Sequence, residues 1–529
     1  MKTIHHREGS MKTAVSLFRA AGLACLLAVP LAAQAPVGPT LQSQREAVAV
    51  LSRAIAAHGG YARMRAAGPV AIRTRATGYQ VGQEVHPDTM RSPGTPAGGP
   101  PNPQFRRYLS DVAHGWDVVE SFASDTASRP ARRIVRTAAD RFTIRFANNT
   151  VQSVDAAVLR QFLAGAPYLP ATLLAMWDGA VGLRSLGRQR IGGAAYDVVV
   201  WADETGQQMT LFFDARTALL ARIETVTANE PFGLGVQEVT YSDYRAEGEL
   251  MLPHAVTLRI GGRTQGEMAV TSVDLSPQVD SSILRRPEGA TVGQPISAPP
   301  ASAATRSLTA NRVAEGIYSI PEVLPGYLLM FADAGDCSIV IEADGDPTVS
   351  ERVLRTVRET IPGKPVRYVV LTHHHSDHSG GLWAYVANNI TVITTPGNVP
   401  FVRSIASLPR AWEGRVVGPL TPVIETVTGR RSYGSGPGAI ELYDVGPNPH
   451  AQEILVVYFP AQKLLYVPDI YGYFPGFTPP NLLVSFADRL AALSLDIQTV
   501  LPAHAPQSTW AEFQAAVAQA RAASQAPPR

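Results

Sequence analysis

Val366-Arg367-Tyr368-Val369-Val370-Leu371-Thr372-His373-His374-His375-Ser376-Asp377-His378-Ser379-Gly380-Gly381 is the stretch on which the reading of this chain turns. Its first six residues are mostly apolar and β-branched, a run of the length and composition of a buried strand. The run delivers the chain into a His-x-His-x-Asp-His pattern. Three imidazoles and a carboxylate within six positions can converge on one or two cations, and neutral imidazole with carboxylate is the usual donor set for Zn²⁺. On an extended segment alternate side chains share a side, so His373 and His375 can chelate together while His374 points the other way. Gly380-Gly381 lets the chain turn tightly into a following helix.

Around this cluster, residues 309–518 alternate strand and helix patterns. Strands are expected at residues 313–320, 327–332 and 337–342, and a helix at residues 350–360, ended by Pro362-Gly363. Three further residues sit at the ends of apolar runs. His450 precedes Glu453-Ile454-Leu455-Val456-Val457-Tyr458, Asp469 closes Leu464-Leu465-Tyr466-Val467-Pro468, and His504 closes Leu501-Pro502-Ala503.

With these motifs in this order, residues 309–518 resemble the metallo-β-lactamase superfamily. The resemblance implies an α/β fold, an αββα sandwich. It implies that His373, His375 and His450 hold one metal, that Asp377, His378 and His504 hold a second, and that Asp469 bridges them. Two Zn²⁺ per chain are then expected. So is a hydrolase in which a metal-bridging hydroxide attacks an ester, lactone, β-lactam or related bond, with Asp377 as the catalytic residue that orients the nucleophile and shuttles a proton. Pro468 and Ala505 stand where the family often has glycine; neither change removes a ligand, and both bear on loop geometry. Rival chemistries on the same centre are phosphodiester hydrolysis, sulfate-ester hydrolysis and iron-dependent sulfur oxygenation. A rival of another class is a periplasmic carrier of lipid or lipoprotein with a docking metal domain. Tyr471, Tyr473, Phe474 and Phe477 suit either an acyl-bearing small-molecule substrate or packing against the core.

Residues 42–286 read differently. Ala47, Val50, Leu51, Ile55 and Ala56 recur at helical spacing until Gly59-Gly60. Strand patterns follow at residues 196–201 and 209–213, flanking the turn signal Glu204-Thr205-Gly206, and continue at 219–226, 236–241, 255–260 and 267–273. The opening helix with Ala57-His58-Gly59-Gly60, and Tyr241-Ser242-Asp243-Tyr244 with Leu252-Pro253-His254, resemble periplasmic lipoprotein-localisation-factor domains. That implies an antiparallel β-rich α+β domain preceding the sandwich. Residues 86–104, dense in Pro and Gly, read as a long loop. Residues 287–308 read as an extended linker, and 519–529 as a disordered tail. His58, His86, His114 and His254 lack ligand spacing, which places the first region outside the chemistry.

The chain has 529 residues, 45% hydrophobic and 17% charged, with a formal net charge of +2. This is a globular balance for two or more domains. No basic run points to nucleic acid as a partner. Residues 1–35, starting at Met1 or Met11, read as an export signal: Lys12 and Arg19 precede an apolar stretch broken by Pro30, followed by Ala32-Ala33-Gln34-Ala35. A periplasmic or secreted location follows, with no stable membrane span after signal removal. Beyond that segment Cys337 is the sole cysteine, in an apolar run that suits a buried thiol.

Overall fold

The computed structural model describes residues 38–525 apart from 88–101, 164, 204–205, 297–306, 322, 325, 413–414 and 473–479. The export signal, most of the Pro/Gly-dense loop, and Tyr473, Phe474 and Phe477 lie outside the described residues. Among the described residues no helix is long and apolar enough to cross a membrane.

The run that opens the histidine cluster is the strand Val366–Val370, inside a seven-stranded sheet. It pairs in parallel with Ser338–Ile341 on one side and Thr391–Thr394 on the other. A second, six-stranded sheet contains Ile440–Asp444, Leu455–Phe459, Leu464–Val467 and Thr499–Pro502. Strand alternation puts Ile339, Ile341, Val370 and Ile393 into one cluster with Leu442, Leu455, Val457 and Tyr466, so the two sheets pack face to face. Residues of the opposite parity, Phe331, Val340, Val369 and Leu371, meet Leu354 and Val357 of the helix Pro347–Thr360 and Phe401 of the helix Val399–Ala406. On the outer face of the second sheet, Val456, Leu465 and Val467 meet Phe486 of Pro480–Ala492 and Phe513 of Trp510–Gln525. The architecture is an αββα sandwich. Strands buried on both faces explain why their sequences are nearly continuous apolar runs.

The N-terminal region forms a fourteen-stranded sheet. The hairpin expected around residues 204–206 is Ala194–Ala202 paired antiparallel with Gln208–Asp214. Leu51, Ala54 and Ile55 of the helix Pro39–Ala57, with Leu173 and Met176 of Pro170–Asp178, pack on Ile72, Trp201, Leu211 and Val256 of the sheet. The resulting domain is β-rich and antiparallel apart from one edge pair, with helices against one face.

Three expectations need correction. Residues 313–320 are not one strand but a hairpin of Asn311–Ala314 and Ile317–Pro321. Gly316, at φ 71°, supplies the left-handed turn between them. The linker 287–308 begins inside the N-terminal sheet, where Thr291–Val292 pairs in parallel with Thr150–Ser153 and Ile296 bridges to Val154. Its exposed edge position needs little apolar signal, which is why composition hid it. The tail 519–529 is helical through Gln525: Ala520 packs in the core and Arg521 pairs with Asp488. Its alanines are strong helix formers.

Arg410 ties the two regions together. It is 1% exposed and its guanidinium donates to the Glu230 carboxylate and the Pro231 carbonyl. Removing one partner of a buried ion pair typically costs about 3–5 kcal/mol because the other charge is left uncompensated. Arg410→Ala should therefore lower the urea midpoint by that equivalent, and Arg410→Met with Glu230→Gln should lose less. A single-variant loss within error of wild type would show that solvent already screens the pair.

Candidate metal centre

The site lies where the strands of both sheets end. His373 follows Val366–Val370, and His375 immediately precedes the one-turn helix Ser376–Ser379, which carries Asp377 and His378. Leu464–Val467 and Thr499–Pro502 run parallel as neighbours, so the residues just after them, Asp469 and His504, arrive side by side. His450 enters from the turn before Leu455–Phe459.

These seven residues converge as two groups that share one member. His373, His375, His450 and Asp469 offer ligand atoms to one point, and Asp377, His378, His504 and Asp469 to another. Asp469 Oδ2 lies 3.3 Å from His450 Nε2 and 3.8 Å from His373 Nε2. Its Oδ1 lies 2.7 Å from both His378 Nε2 and His504 Nε2. Asp377 Oδ2 is 3.6 Å from His378 Nε2 and 3.9 Å from His504 Nε2.

Two observations test whether a metal suits these residues. Ligands about 2.0–2.1 Å from a tetrahedral Zn²⁺ stand roughly 3.3 Å apart. His373 Nε2 and His450 Nε2 are 3.3 Å apart, and His378 Nε2 and His504 Nε2 are 3.4 Å apart. The second observation is His375 Nδ1, which is buried with no hydrogen-bond partner among the described residues. The donor set fits a pair of divalent cations.

Hydrogen bonds from the opposite ring atoms orient His373, His375 and His504. The Thr372 hydroxyl donates to Glu342 Oε1 at 2.6 Å, which leaves its oxygen to accept from His373 Nδ1 at 3.0 Å. The His375 Nε2–H donates to the Glu84 carbonyl at 3.0 Å. His378 Nδ1 is 3.4 Å from Glu342 Oε1, and His504 Nδ1 is 3.3 Å from the Gly326 carbonyl. Asp377 is held on both oxygens: Gln83 Nε2 donates to Oδ1 at 2.7 Å and the Tyr327 hydroxyl to Oδ2 at 3.1 Å.

Burial keeps His373 and His375 well below the usual imidazole range, in the neutral form a metal requires. Burial also opposes charge on His378, but Asp469, Asp377 and Glu342 overcome it and raise that group. Burial pushes Asp469 up; His378, His450 and His504 outweigh it and hold the carboxyl well below its usual range.

His374 stands outside both groups and donates Nε2–H to the Glu84 carbonyl at 2.7 Å. Tyr471 packs edge-on against Phe513. His58 bonds the Ala54 carbonyl and burial pushes it down to about 4; His254 pairs with Glu247 at 2.9 Å and His114 with Asp111 at 2.9 Å. Cys337 is buried, which raises its thiol. The first region does reach the site, contrary to expectation, through Gln83 and Glu84. Neither had a sequence signal, because one acts through an amide and the other through its backbone carbonyl. Tyr327, Glu342 and Thr372 were likewise invisible to ligand spacing.

Residues 335–504 match the family model of the metallo-beta-lactamase superfamily. A curated relative, the 2,4-dinitroanisole O-demethylase subunit alpha of Nocardioides sp. (strain JS1661), is 27% identical over 216 residues, 40% of this chain and 61% of that protein. The chain thus spans about 61% of the length of the curated relative it matches. Similar solved structures include the metallo-beta-lactamase FIM-1 from Pseudomonas aeruginosa in its mono-zinc form, at 19% identity, 42% of this chain, 97% of that one and TM-score 0.31. Another is the metallo-beta-lactamase from Hirschia baltica, at 15% identity, 41% of this chain, 98% of that one and TM-score 0.32. The matched stretch contains all seven converging residues, so the metal centre lies wholly within the part of the chain that is similar to the metallo-beta-lactamase superfamily.

Proposed function

We propose that the protein is a hydrolase that holds two zinc ions and cleaves an ester, lactone or β-lactam bond of a small molecule. The observation that carries this reading is Asp469, one buried carboxylate whose two oxygens face two separate ligand groups. An all-nitrogen-and-oxygen donor set supports zinc. Two such cations supply Lewis acidity toward a carbonyl oxygen and a water acidified toward neutral pH.

The protein's own groups supply position and proton transfer. Tyr327 and Gln83 fix the Asp377 carboxylate, which is placed to orient the attacking water and accept its proton. The Tyr327 ring packs edge-on against His504 at 4.3 Å between centroids, so one residue steadies two ligands. Export to the periplasm or beyond is part of the proposal and rests on residues 11–35 of the sequence.

Protein purified without chelator should carry close to two equivalents of zinc. One equivalent that added zinc does not raise would overturn the shared role of Asp469. Asp377→Ala should lose about 10²–10⁴ in turnover, the usual worth of a positioned acid–base group, with an unchanged circular dichroism spectrum. His374→Ala should lose less, because its contact with the centre runs through the Glu84 carbonyl. A turnover screen should include aryl esters, lactones, β-lactams and phosphodiesters. It should also include 2,4-dinitroanisole, after the name of the curated relative. Turnover of phosphodiesters alone would replace the carbonyl reading with phosphoryl chemistry.

A further inference from the structure

Four consecutive residues of the N-terminal region, 82–85, are hydrogen-bonded to the segments that carry the metal ligands. The Gly82 carbonyl accepts from the Ser376 amide at 2.8 Å, and the Val85 carbonyl from the Gln452 amide at 2.8 Å. Between them, Gln83 Nε2 donates to Asp377 Oδ1 at 2.7 Å and to Ser376 Oγ at 3.3 Å. The Glu84 carbonyl accepts from His374 Nε2 at 2.7 Å and His375 Nε2 at 3.0 Å. The His86 ring rests against the Gln452 side chain, two positions beyond His450.

The loop is built to hold this shape. It follows the strand Val70–Gly78, and Tyr79 N bonds the Gln265 carbonyl at 2.9 Å. Gly82 has φ 88°, a backbone region that favours glycine. The Glu84 side chain is buried and folds back to accept from the Gly82 amide at 2.9 Å. The side chain is thus spent on the loop, and the carbonyl is left to face the histidines.

We infer that residues 82–85 are an outer coordination shell supplied to the metal centre by the N-terminal region, with Gln83 as the positioning residue of Asp377. The inference rests on the reading of the site as a two-metal centre. An imidazole that presents Nδ1 to a metal must carry its proton on Nε2, and the Glu84 carbonyl accepts that proton from His375. Gln83 donates to Oδ1 of Asp377 while Tyr327 donates to Oδ2, so the carboxylate is fixed against rotation before any ion arrives. The N-terminal region is in this view part of the catalytic unit.

The test uses the full chain and metal alone. Zinc affinity is measured by competition with a chromophoric chelator, and the environment of the second ion by the visible spectrum of the cobalt-substituted protein. Loss of an outer-shell partner typically costs about 10–100-fold in metal affinity. Gln83→Ala should weaken the second ion by that factor, leave the first unchanged and alter the cobalt spectrum. Gln83→Glu keeps the side-chain volume but replaces the donating amide with a carboxylate facing Asp377, so it should lose at least as much. A Gln83→Glu protein that binds like wild type while Gln83→Ala is weak would mean that the residue only packs, and would overturn the inference. So would two variants indistinguishable from a wild type that binds two ions. A wild-type chain that binds no second ion removes the two-metal reading itself, and the inference with it.

Discussion

Asp469 is 4% exposed and sits among imidazoles at the junction of two sheets. A carboxylate in that position is costly unless positive charge or strong donors surround it on every side. The whole end of the sandwich is arranged to meet that demand. His378 and His504 face one oxygen, and His450 and His373 face the other. Beneath them Glu342 and Asp344 are buried too, so the centre is a layered arrangement of opposite charges rather than a single pair. Burial pushes Asp344 well above the usual carboxylate range, against the pull of His378, and Glu342, Asp377 and Asp469 add to the push. Metal cations would supply counter-charge for this much buried acid.

The sandwich explains why the demand is met at this end. Parallel neighbours deliver successive strand ends to the same edge, so residues distant in sequence arrive together without long loops. Asp469 and His504 follow adjacent parallel strands, and His373 follows the strand Val366–Val370 of the facing sheet. Both sheets are clamped by helices on their outer faces and by one another inside, which leaves the strand ends rigid. Rigid elements of this kind hold ligands to a fixed geometry better than free loops do.

Much of the C-terminal region could be read from residues alone, for a definite reason. Strands buried on both faces carry apolar runs, and each of the seven converging residues lies next to one or within the dense cluster at 373–378. The N-terminal sheet was half legible. Its later strands are rich in apolar and β-branched residues, as in Ala194–Ala202, whereas Arg132–Arg136 and Arg141–Arg145 mix arginines with apolar residues and resemble surface sequence. Arg132, Arg133 and Arg136 find partners across the sheet, for example Arg133 with Glu120 at 2.8 Å, which no local pattern announces. The contact of Glu84 was hidden for a deeper reason. A backbone carbonyl acts the same way whatever side chain it belongs to.

The distance along the chain between Glu84 and the histidines it orients has a consequence for biosynthesis. The two ends of that hydrogen bond are 290 residues apart, and His504 comes later still. During synthesis the loop at 82–85 emerges early, and its partners at 374–377 and 452 appear only after more than half of the chain has followed it. Contacts of such separation form late, after local structure has condensed. If residues 82–85 act as proposed, the centre reaches its full affinity only when both regions have folded and docked. On that proposal tight metal binding would report on the completed polypeptide, since a fragment released early from either end would lack part of the arrangement around the candidate ligands.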